Sequence, residues 1–472
     1  MQLFRDSENK SIHFIGVCGT AMAAVAAELH RSGFRVTGSD SGAYPPMSDF
    51  LDDQDMVVIE GYHPDNLPVD ALVVVGNAVS RGNVELEAAL DRGYRLISLP
   101  ELISRRYLAG KTSIVIVGTH GKTTTASMTA HILRTAGRDP GWMIGGMSLN
   151  LEVPCRMGSG EEFVIEGDEY DSVYFDKRPK VFHYQPHLAV LTSVEFDHSD
   201  IYDDIHAVEA VFRQFVRLLP QNGRLIVCSE DLHAMAAASG AFCGIETYGS
   251  AAGSDWKIRD ITEPGYSGLR GEFTGPSGRS GIIELSLIGE HNLKNALAAT
   301  AVAASVGVDV NDALTALKDF RGVRRRMEKL VESDDVVVWE DFAHHPTAVM
   351  HTLSGLRKRY PGRRLWALFE PRTNTMARNY LSDELIESLT YADRVVIGPV
   401  HRSERIPPEE RLDTIAVARA LSERGTNALA VDSFDDVVSE VERNVSKGDV
   451  IVIMSNGDFG GVKERIVKSL KV

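Results

Sequence analysis

The 472-residue chain has few cysteines, no excess of positive charge and no long apolar run, and each absence excludes a class of protein. Its four cysteines form no CxxC pair, so neither a disulfide framework nor a structural zinc site is expected. The net charge of −16 disfavours a general nucleic-acid binder. No segment approaches the roughly 18 apolar residues of a membrane span, and residues 1–10 are polar. We therefore expect a cytoplasmic protein that binds neither nucleic acid nor membrane.

Short apolar runs alternate with helical stretches along the chain, a pattern typical of parallel sheets covered by helices on both faces. The pattern starts at residues 11–17 and starts afresh at residues 113–117 and 336–340. Residues 249–284 are rich in Gly and Ser and indicate a small β excursion. The sequence predicts an α/β fold with three domains. These are a Rossmann-like N-terminal domain (residues 1–110), a central P-loop ATPase-type parallel sheet with the β excursion (residues 111–327) and a Rossmann-like C-terminal domain (residues 328–472).

The sharpest motif is a glycine loop between a predicted strand, residues 114–117, and a helix that opens with Lys122 and Thr123. Backbone N–H groups and the helix dipole converge on phosphate at such a turn. Lys122 would reach the β and γ phosphates of ATP, and the Thr123 hydroxyl would complete a Mg²⁺ shell. The loop is shorter than a standard phosphate loop, and a structural turn with a coincidental lysine is the alternative. The predicted ATP-loop residues are Gly118, Thr119, His120, Gly121, Lys122, Thr123 and Thr124.

A second glycine loop follows the first predicted strand and imitates a dinucleotide fingerprint without matching it. Cys18 and Ala21 stand where GxGxxG needs glycine, so a nicotinamide cofactor is not expected. The loop still offers N–H groups to a diphosphate, with Asp40 near a ribose or sugar hydroxyl. A purely structural turn is the alternative reading of this segment.

Carboxylates follow a predicted strand that ends at Glu166. Glu166 stands directly on the strand end, where it could hold Mg²⁺ beside the phosphate loop. We interpret Asp168, Glu169 and Asp171 as a solvated charge run. His198 follows a further strand and is a candidate for a second metal or for contact with the reacting phosphoryl oxygen. Because Mg²⁺ prefers oxygen ligands, His198 would contact it through a bridging water or would instead bind Mn²⁺ directly. The alternative interpretation is that His198 has only a structural role.

Polar side chains later in the chain also fall where strands meet helices. Asn292 and Asn295 share one face of a predicted helix and could offer amides to an adenine edge, although helix capping would explain one of them. Asp341 follows a strand as a candidate ribose ligand, with His344 near phosphate. The carboxyl ends of parallel strands are where such sheets bind ligands, so these clusters predict one composite site.

Over essentially the whole chain these motifs resemble those of Mur ligases, ATP-dependent amide-forming enzymes of bacterial cell-wall synthesis. The resemblance implies that Lys122, Glu166 and His198 are catalytic and that Thr123, Glu166 and His198 hold the metal. It also implies that Asn292 and Asn295 contact adenine, that Arg326 contacts ATP, and that Asp341 and His344 contact its ribose and phosphate. The UDP-sugar residues that it implies are Gly16, Cys18, Gly19, Thr20, Ser39, Asp40, His63 and Asn77. Arg372 and Asn374 are expected to contact the peptide substrate.

Within the family, five further segments indicate the substrates. They are residues 44–47, 168–171, 175–178, 195–198 and 370–376. They resemble a member that joins L-alanyl-γ-D-glutamyl-meso-diaminopimelate to UDP-N-acetylmuramate in murein recycling, through an acyl phosphate and with release of ADP and phosphate. A member that joins L-alanine to the same sugar is the alternative. No lysine lies between Lys180 and Lys257, and Arg213 stands about where family members carry a carbamylated lysine, so no carbamate is expected.

Two other classes of function stay open from the sequence. One is a P-loop ATPase coupled to transport or nucleic acid, which the acidic net charge and the lack of a basic, aromatic surface disfavour for nucleic acid. The other is a nucleotide sensor without catalysis.

Overall fold

The computed structural model describes residues 11–42, 47–263, 268–333 and 335–470. The polar residues 1–10 and residues 44–46 of the resemblance motif therefore lie outside the described residues. By its internal contacts the chain divides into two compact units. The first unit comprises Met1–Val194, Glu209–Trp256 and Ala298–Ala316, and the second comprises Glu195–Val208, Lys257–Leu297 and Leu317–Val472.

The N-terminal sheet has five parallel strands in the order β3-β2-β1-β4-β5. The strands are β1 (Ser11–Ile15), β2 (Arg35–Asp40), β3 (Val58–Glu60), β4 (Leu72–Val75) and β5 (Leu96–Ser98). The helices are α1 (Thr20–Arg31), α2 (Met47–Asp52), α3 (Val84–Asp91) and α4 (Leu99–Ile103). Both predicted strands that flank the first glycine loop are present, and β1 is buried along its whole length because helices cover the sheet.

The central sheet of the first unit surrounds β6, the strand that leads into the phosphate loop. Its order is β14-β13-β12-β6-β9-β7-β8, and neighbouring strands are parallel except β7 and β8. The strands are β6 (Thr112–Val117), β7 (Gly141–Met143), β8 (Cys155–Arg156), β9 (Glu162–Glu166), β10 (Asp171–Val173), β11 (Asp176–Pro179), β12 (Leu188–Leu191), β13 (Arg224–Cys228) and β14 (Gly244–Gly249). Strands β10 and β11 form a separate antiparallel hairpin. The helices are α5 (Lys122–Thr135), α6 (Ile205–Val216) and α7 (Leu232–Ala238).

The predicted β excursion is an antiparallel meander followed by two helices. Strands β15 (Trp256–Thr262), β16 (Leu269–Thr274) and β17 (Ser280–Leu285) pair in sequence order. Helices α8 (Glu290–Ser305) and α9 (Val310–Lys318) follow.

The C-terminal sheet has six strands in the order β18-β19-β23-β20-β21-β22, parallel except for β18. The strands are β18 (Glu328–Glu332), β19 (Val336–Asp341), β20 (Leu365–Phe369), β21 (Arg394–Ile397), β22 (Asn427–Ala430) and β23 (Asp449–Met454). The helices are α10 (Pro346–Arg359), α11 (Ser382–Leu389), α12 (Thr414–Glu423), α13 (Phe434–Asn444) and α14 (Val462–Leu470). Alternate residues of β19, β20, β21 and β23 belong to two separate apolar clusters, as expected for a sheet buried on both faces.

The predicted α/β class with parallel sheets is confirmed. The predicted domain boundaries at residues 110 and 327 stay predictions. The strands expected at residues 336–340, 365–369, 394–397, 428–431 and 449–454 are all present to within a residue or two at either end.

Candidate active site

The phosphate loop runs from the end of β6 to the start of α5, and the end of β12 shapes it. Gly118 has φ +125°, and a Cβ there would lie 2.3 Å from the hydroxyl of Thr192 and 2.7 Å from the carbonyl oxygen of Ser193. The backbone N–H of Thr119 donates to that carbonyl (2.8 Å), and the N–H of His120 donates to the Ser193 hydroxyl (3.0 Å). Only glycine fits the close approach at position 118.

Helix α5 presents its positive end to this loop. Gly121 precedes it in the left-handed region at φ +78°, and the helix begins at Lys122. The first backbone N–H groups of a helix have no acceptor within the helix, and with the helix dipole they attract anions. The local structure therefore has the free helix N-terminus that the phosphate prediction requires, and phosphate binding itself stays a prediction.

Lys122 is held inside this site by a carboxylate that the sequence analysis did not single out. Its ammonium donates to both carboxylate oxygens of Glu169 (3.2 and 3.0 Å) and to the Gly118 carbonyl (2.5 Å). Burial alone would lower the pKa of Lys122, but the negative charges of Glu169, Asp168 and Glu166 outweigh burial and raise it. Lys122 is therefore a cation at neutral pH. A positive charge is what a lysine needs to form a strong hydrogen bond to a phosphate group.

The expectation of a solvated charge run after Glu166 is wrong for Glu169. That side chain is only 2% exposed because it faces Lys122. Asp168 pairs with Lys180 (2.6 Å), and Asp171 pairs with Lys177 (2.5 Å). Nothing in the run of acids distinguishes the buried member, since its partner lies 47 residues earlier in the chain.

Thr123 and Glu166, two of the three predicted metal ligands, are in contact. The Thr123 hydroxyl donates to one carboxylate oxygen of Glu166 (2.9 Å), and the backbone N–H of Gly145 donates to the other (2.9 Å). A hydroxyl and a carboxylate side by side are oxygen donors of the type that Mg²⁺ selects. This donor set fits the predicted metal.

His198, the third predicted metal ligand, lies in the second unit on a strained loop. Its φ is +57°, and its backbone N–H donates to the carboxylate of Asp197 (2.8 Å). Asp197 is 6% exposed and also accepts from the Thr375 hydroxyl (2.8 Å). Burial would raise the pKa of Asp197, but the hydrogen bond with His344 and the neighbouring imidazoles lower it far below the usual range. The loop of His198 is thereby tied to the predicted peptide-reading segment that contains Thr375.

Arg326, the predicted ATP arginine, stacks on an aromatic ring. Its guanidinium lies 4.4 Å from the centre of the Phe342 ring, and that ring meets His344 edge-on at 5.7 Å. A guanidinium over an aromatic face is attracted by the ring quadrupole. Phe342 is thus a further residue that positions a predicted ATP contact, and the sequence analysis missed it.

Asp341, the predicted ribose ligand, already accepts several bonds at the end of β19. Its partners are the backbone N–H groups of Met327 (2.7 Å) and Ala343 (2.8 Å) and the Thr352 hydroxyl (3.1 Å). Burial raises the pKa of Asp341, against the lowering effects of Arg326 and of these bonds. The carboxylate organises the turn between β19 and α10, and its ribose contact stays a prediction.

Asn292 and Asn295 lie on one face of α8, as their spacing predicts. The amide of Asn295 donates to the Asn292 side-chain oxygen (3.3 Å), and the amide of Asn292 donates to the Ile288 carbonyl (2.7 Å). Both side chains are nearly buried. Both side chains thus make contacts within the protein, and an adenine contact stays a prediction for both.

The predicted UDP-sugar residues collect at the carboxyl ends of β1, β2 and β4. The N–H groups of Gly16 and Val17 donate to the Ser39 carbonyl (2.8 and 3.1 Å). The N–H of Cys18 donates to the Asp40 carboxylate (2.9 Å). Burial, followed by the charge of Asp40, raises the pKa of the Cys18 thiol to about 11. The hydrogen bond from Cys18 shows that the Asp40 carboxylate stabilises the conformation of the glycine loop. Its contact with a ligand hydroxyl stays a prediction.

Of the remaining members, Gly19 and Asn77 flank the ends of β1 and β4, and His63 lies in the loop after β3. Gly19 is the N-cap of α1, which begins at Thr20, and Asn77 is half-buried two residues beyond β4. His63 precedes a short 3-10 turn, with its ring largely exposed. The glycine loop leads into the N-terminus of α1, whose first backbone N–H groups are free to bind an anion. This arrangement agrees with the predicted diphosphate contact, which stays a prediction.

Arg372 in the predicted peptide segment is fixed from three sides. It pairs with the buried Glu370 (3.2 Å) and with the exposed Asp458 (3.4 Å). A Cβ at Gly457 would lie 2.2 Å from its guanidinium carbon, so the side chain packs directly on that glycine. Asn374 is exposed beside it in sequence, and its carbonyl accepts from Arg378 (2.8 Å).

The predicted site residues are divided between the two compact units. The first unit holds the phosphate loop with the Thr123 and Glu166 pair, and also the UDP-sugar loops. The second unit holds His198, Arg326, Asp341, His344 and the two asparagines. Among the described residues, no helix is both long and apolar enough to span a bilayer.

These features define an α/β protein with a glycine loop that leads from a buried strand into a helix, and with a hydroxyl–carboxylate pair beside that loop. Three family models match the chain: the Mur ligase family catalytic domain over residues 11–108, the Mur ligase middle domain over residues 116–303, and the Mur ligase glutamate ligase domain over residues 325–457. The chain belongs to the Mur ligase family, whose members form amide bonds using ATP.

Individual relatives match over nearly their whole length. The UDP-N-acetylmuramate–L-alanyl-γ-D-glutamyl-meso-2,6-diaminoheptandioate ligase of Escherichia coli K12 is 39% identical over 97% of this chain and 98% of its own. The UDP-N-acetylmuramate–L-alanine ligase of Caldanaerobacter subterraneus subsp. tengcongensis is 32% identical over 98% of both. The crystal structure of a murein peptide ligase from Psychrobacter arcticus 273-4 matches with a TM-score of 0.73 and 35% identity, covering 98% of both chains.

Proposed function

We propose that this protein joins L-alanyl-γ-D-glutamyl-meso-diaminopimelate to UDP-N-acetylmuramate in murein recycling, using ATP and releasing ADP and phosphate. The observation that carries the substrate assignment is the 39% identity to the Escherichia coli ligase over nearly the whole of both chains. The phosphate loop, with a charged and 14% exposed Lys122 at its centre, supports the use of ATP.

A carboxylate resists an amine because its carbonyl carbon is electron-rich and oxide is a poor leaving group. The lactyl carboxylate of the sugar attacks the γ-phosphorus of ATP, ADP leaves, and an acyl phosphate forms. The peptide amine then attacks the carbonyl carbon, loses a proton, and phosphate leaves. Lys122 and Arg326 would offset the negative charge that develops on the transferred phosphoryl group. No protein nucleophile is needed, so orientation and electrostatics account for catalysis.

Thr123 and Glu166 would hold Mg²⁺, with His198 as a further member of the metal site and Mn²⁺ as the alternative ion. When bound, the cation supplies charge neutralisation at the phosphate oxygens. Glu166 is oriented for this role by the Gly145 N–H, and Lys122 is kept charged by Glu169. The other ATP, UDP-sugar and peptide contacts named in the sequence analysis form part of the same proposal.

The test is phosphate release and product mass with purified protein, ATP, Mg²⁺ and UDP-N-acetylmuramate, with either the tripeptide or free L-alanine as the amine. We expect product with the tripeptide. Lys122→Ala should lower kcat/KM for ATP by about 100-fold or more, because a charge facing the transferred group is lost. Lys468→Ala, at an exposed lysine of α14, is the matched control and should leave the rate unchanged.

The second candidate is a UDP-N-acetylmuramate–L-alanine ligase, which the 32% identity to the Caldanaerobacter enzyme favours. A preference for free L-alanine would establish it and overturn the tripeptide assignment. ATP hydrolysis that needs neither sugar nor amine would overturn both and favour an ATPase of another kind.

A further inference from the structure

A single buried carboxylate joins three segments of the N-terminal sheet. Glu85, in the first turn of α3, has no exposed surface and accepts four hydrogen bonds. One oxygen accepts from His13 Nε2 (2.6 Å) and from the Ser39 hydroxyl (2.7 Å). The other accepts from the His63 backbone N–H (3.0 Å) and from the side-chain amide of Asn66 (2.8 Å).

The carboxylate is charged despite its burial. Burial would raise the pKa of Glu85, but the hydrogen bonds from His13, Ser39 and Asn66 outweigh it and lower the pKa. A buried anion is stable only when its oxygens are satisfied in this way. His13 Nε2 therefore carries its proton toward Glu85.

The groups that Glu85 holds belong to the loops proposed to bind the UDP-sugar. The Ser39 carbonyl accepts the N–H groups of Gly16 and Val17, so fixing Ser39 fixes the start of the glycine loop. Asp40, the next residue, accepts the Cys18 N–H. On its other oxygen Glu85 fixes the backbone of His63, whose ring is left exposed.

We infer that Glu85 is a positioning residue for the UDP-sugar site: without touching the ligand, it sets the glycine loop, the end of β2 and the His63 loop relative to one another. The inference rests on the proposed function. Sequence reasoning missed Glu85 because an acidic residue in the first turn of a helix is ordinary.

Hydrogen-bond chemistry distinguishes this role from general packing. In Glu85→Gln the amide NH₂ can face His13 and Ser39, because an imidazole and a hydroxyl can both accept. The amide oxygen then still serves His63 and Asn66, whose N–H groups can only donate. In Glu85→Met, which is similar in length, both loops lose their acceptor.

The experiment measures KM for UDP-N-acetylmuramate, ATP and tripeptide in wild-type protein and in variants shown to be folded by circular dichroism and melting temperature. Glu85→Met should raise KM for UDP-N-acetylmuramate about tenfold or more, with KM for ATP and tripeptide unchanged within about twofold. Glu85→Gln should restore KM for the sugar to within about threefold of wild type. Glu162→Met, which removes a buried carboxylate paired with Arg138 at the start of β9, is the matched control and should lower stability without changing any KM.

Equal rises in all three KM values, or a wild-type KM for the sugar in folded Glu85→Met, would overturn the inference. If Glu85→Met does not fold, Asn66→Ala tests the inference instead. The side-chain amide of Asn66 donates both to Glu85 and to the Gly61 carbonyl (3.1 Å), and so connects Glu85 to the loop that contains His63. This substitution should raise KM for the sugar alone by about threefold or more, and no change would overturn the inference. A wild-type protein that does not use UDP-N-acetylmuramate would overturn the proposed function and the inference with it.

Discussion

Gly118 is the residue on which the geometry of the phosphate loop depends most directly. Gly118→Ala would place a Cβ 2.3 Å from the Thr192 hydroxyl and would force alanine into φ +125°. Since Thr192 and Ser193 pin the loop, the clash displaces the N–H groups that face phosphate. We expect ATP-dependent phosphate release to fall by about tenfold or more, with a cost in stability of about 2 kcal/mol, measured by steady-state kinetics and denaturation.

Gly110→Ala is the control for this change. Gly110 also has positive φ, +79°, but a Cβ there meets nothing within 4 Å. It should cost about 1 kcal/mol in backbone strain and leave the rate unchanged. Equal losses of activity in the two variants would show that steric contact with Thr192 and Ser193 is unimportant.

Residues that act through local backbone were predictable, and those that act through distant partners were not. The place of Lys122 and Thr123 at the start of a helix was predictable, because a buried strand, a glycine turn and a helix start are adjacent in sequence. Glu169 and Glu85 could not, since their partners lie 47 and up to 72 positions away. Burial of an acid is decided by the fold around it rather than by its neighbours in sequence.

At the scale of elements, the apolar strands were predictable because parallel strands buried on both faces read as short continuous apolar runs. Strands β6, β19 and β23 are such runs, and all are buried almost throughout. The β10–β11 hairpin was not predicted, because its strands are short and carry charged residues. Residues 175–178 resemble a segment of family members, but no strand was predicted there.

The hairpin is anchored in the core of the N-terminal sheet. Val173, on β10, is fully buried in a cluster that includes Ile15 and Val73. Val173→Ala should lower the free energy of unfolding by about 2 kcal/mol, because it removes two buried methyl groups and leaves a cavity. Val57→Ala, at a valine that is 82% exposed, should change it by less than about 0.5 kcal/mol. Urea denaturation measures both, and equal effects would contradict this anchoring.

At the scale of the whole molecule, the residues proposed to act on ATP are divided between two compact units. Lys122, Thr123 and Glu166 belong to the first unit, and Arg326 and Asp341 to the second. Alternating strands and helices predicted parallel sheets covered by helices, but the grouping of segments 195–208 and 257–297 with the C-terminal sheet in one unit follows from contacts that no local pattern encodes.

The whole molecule carries a net charge of −16, so its response to acid depends on which carboxylates the fold stabilises. Asp197 is buried, and its pKa lies well below the usual 3.8. A carboxyl with a depressed pKa in the folded state contributes stability above its unfolded pKa, and that contribution is lost as the pH falls through the folded value.

Asp197→Asn should therefore lower the free energy of unfolding by about 2 kcal/mol at pH 7, where the charged hydrogen bonds are intact. The difference from wild type should be constant down to about pH 5 and should shrink below about pH 4, as the unfolded wild-type chain takes up a proton at this group. Urea denaturation at a series of pH values measures it. Asp432→Asn, at an exposed aspartate, is the control and should show little difference at any pH. A penalty for Asp197→Asn that is the same at pH 7 and pH 3.5 would mean that the low pKa of Asp197 does not stabilise the fold.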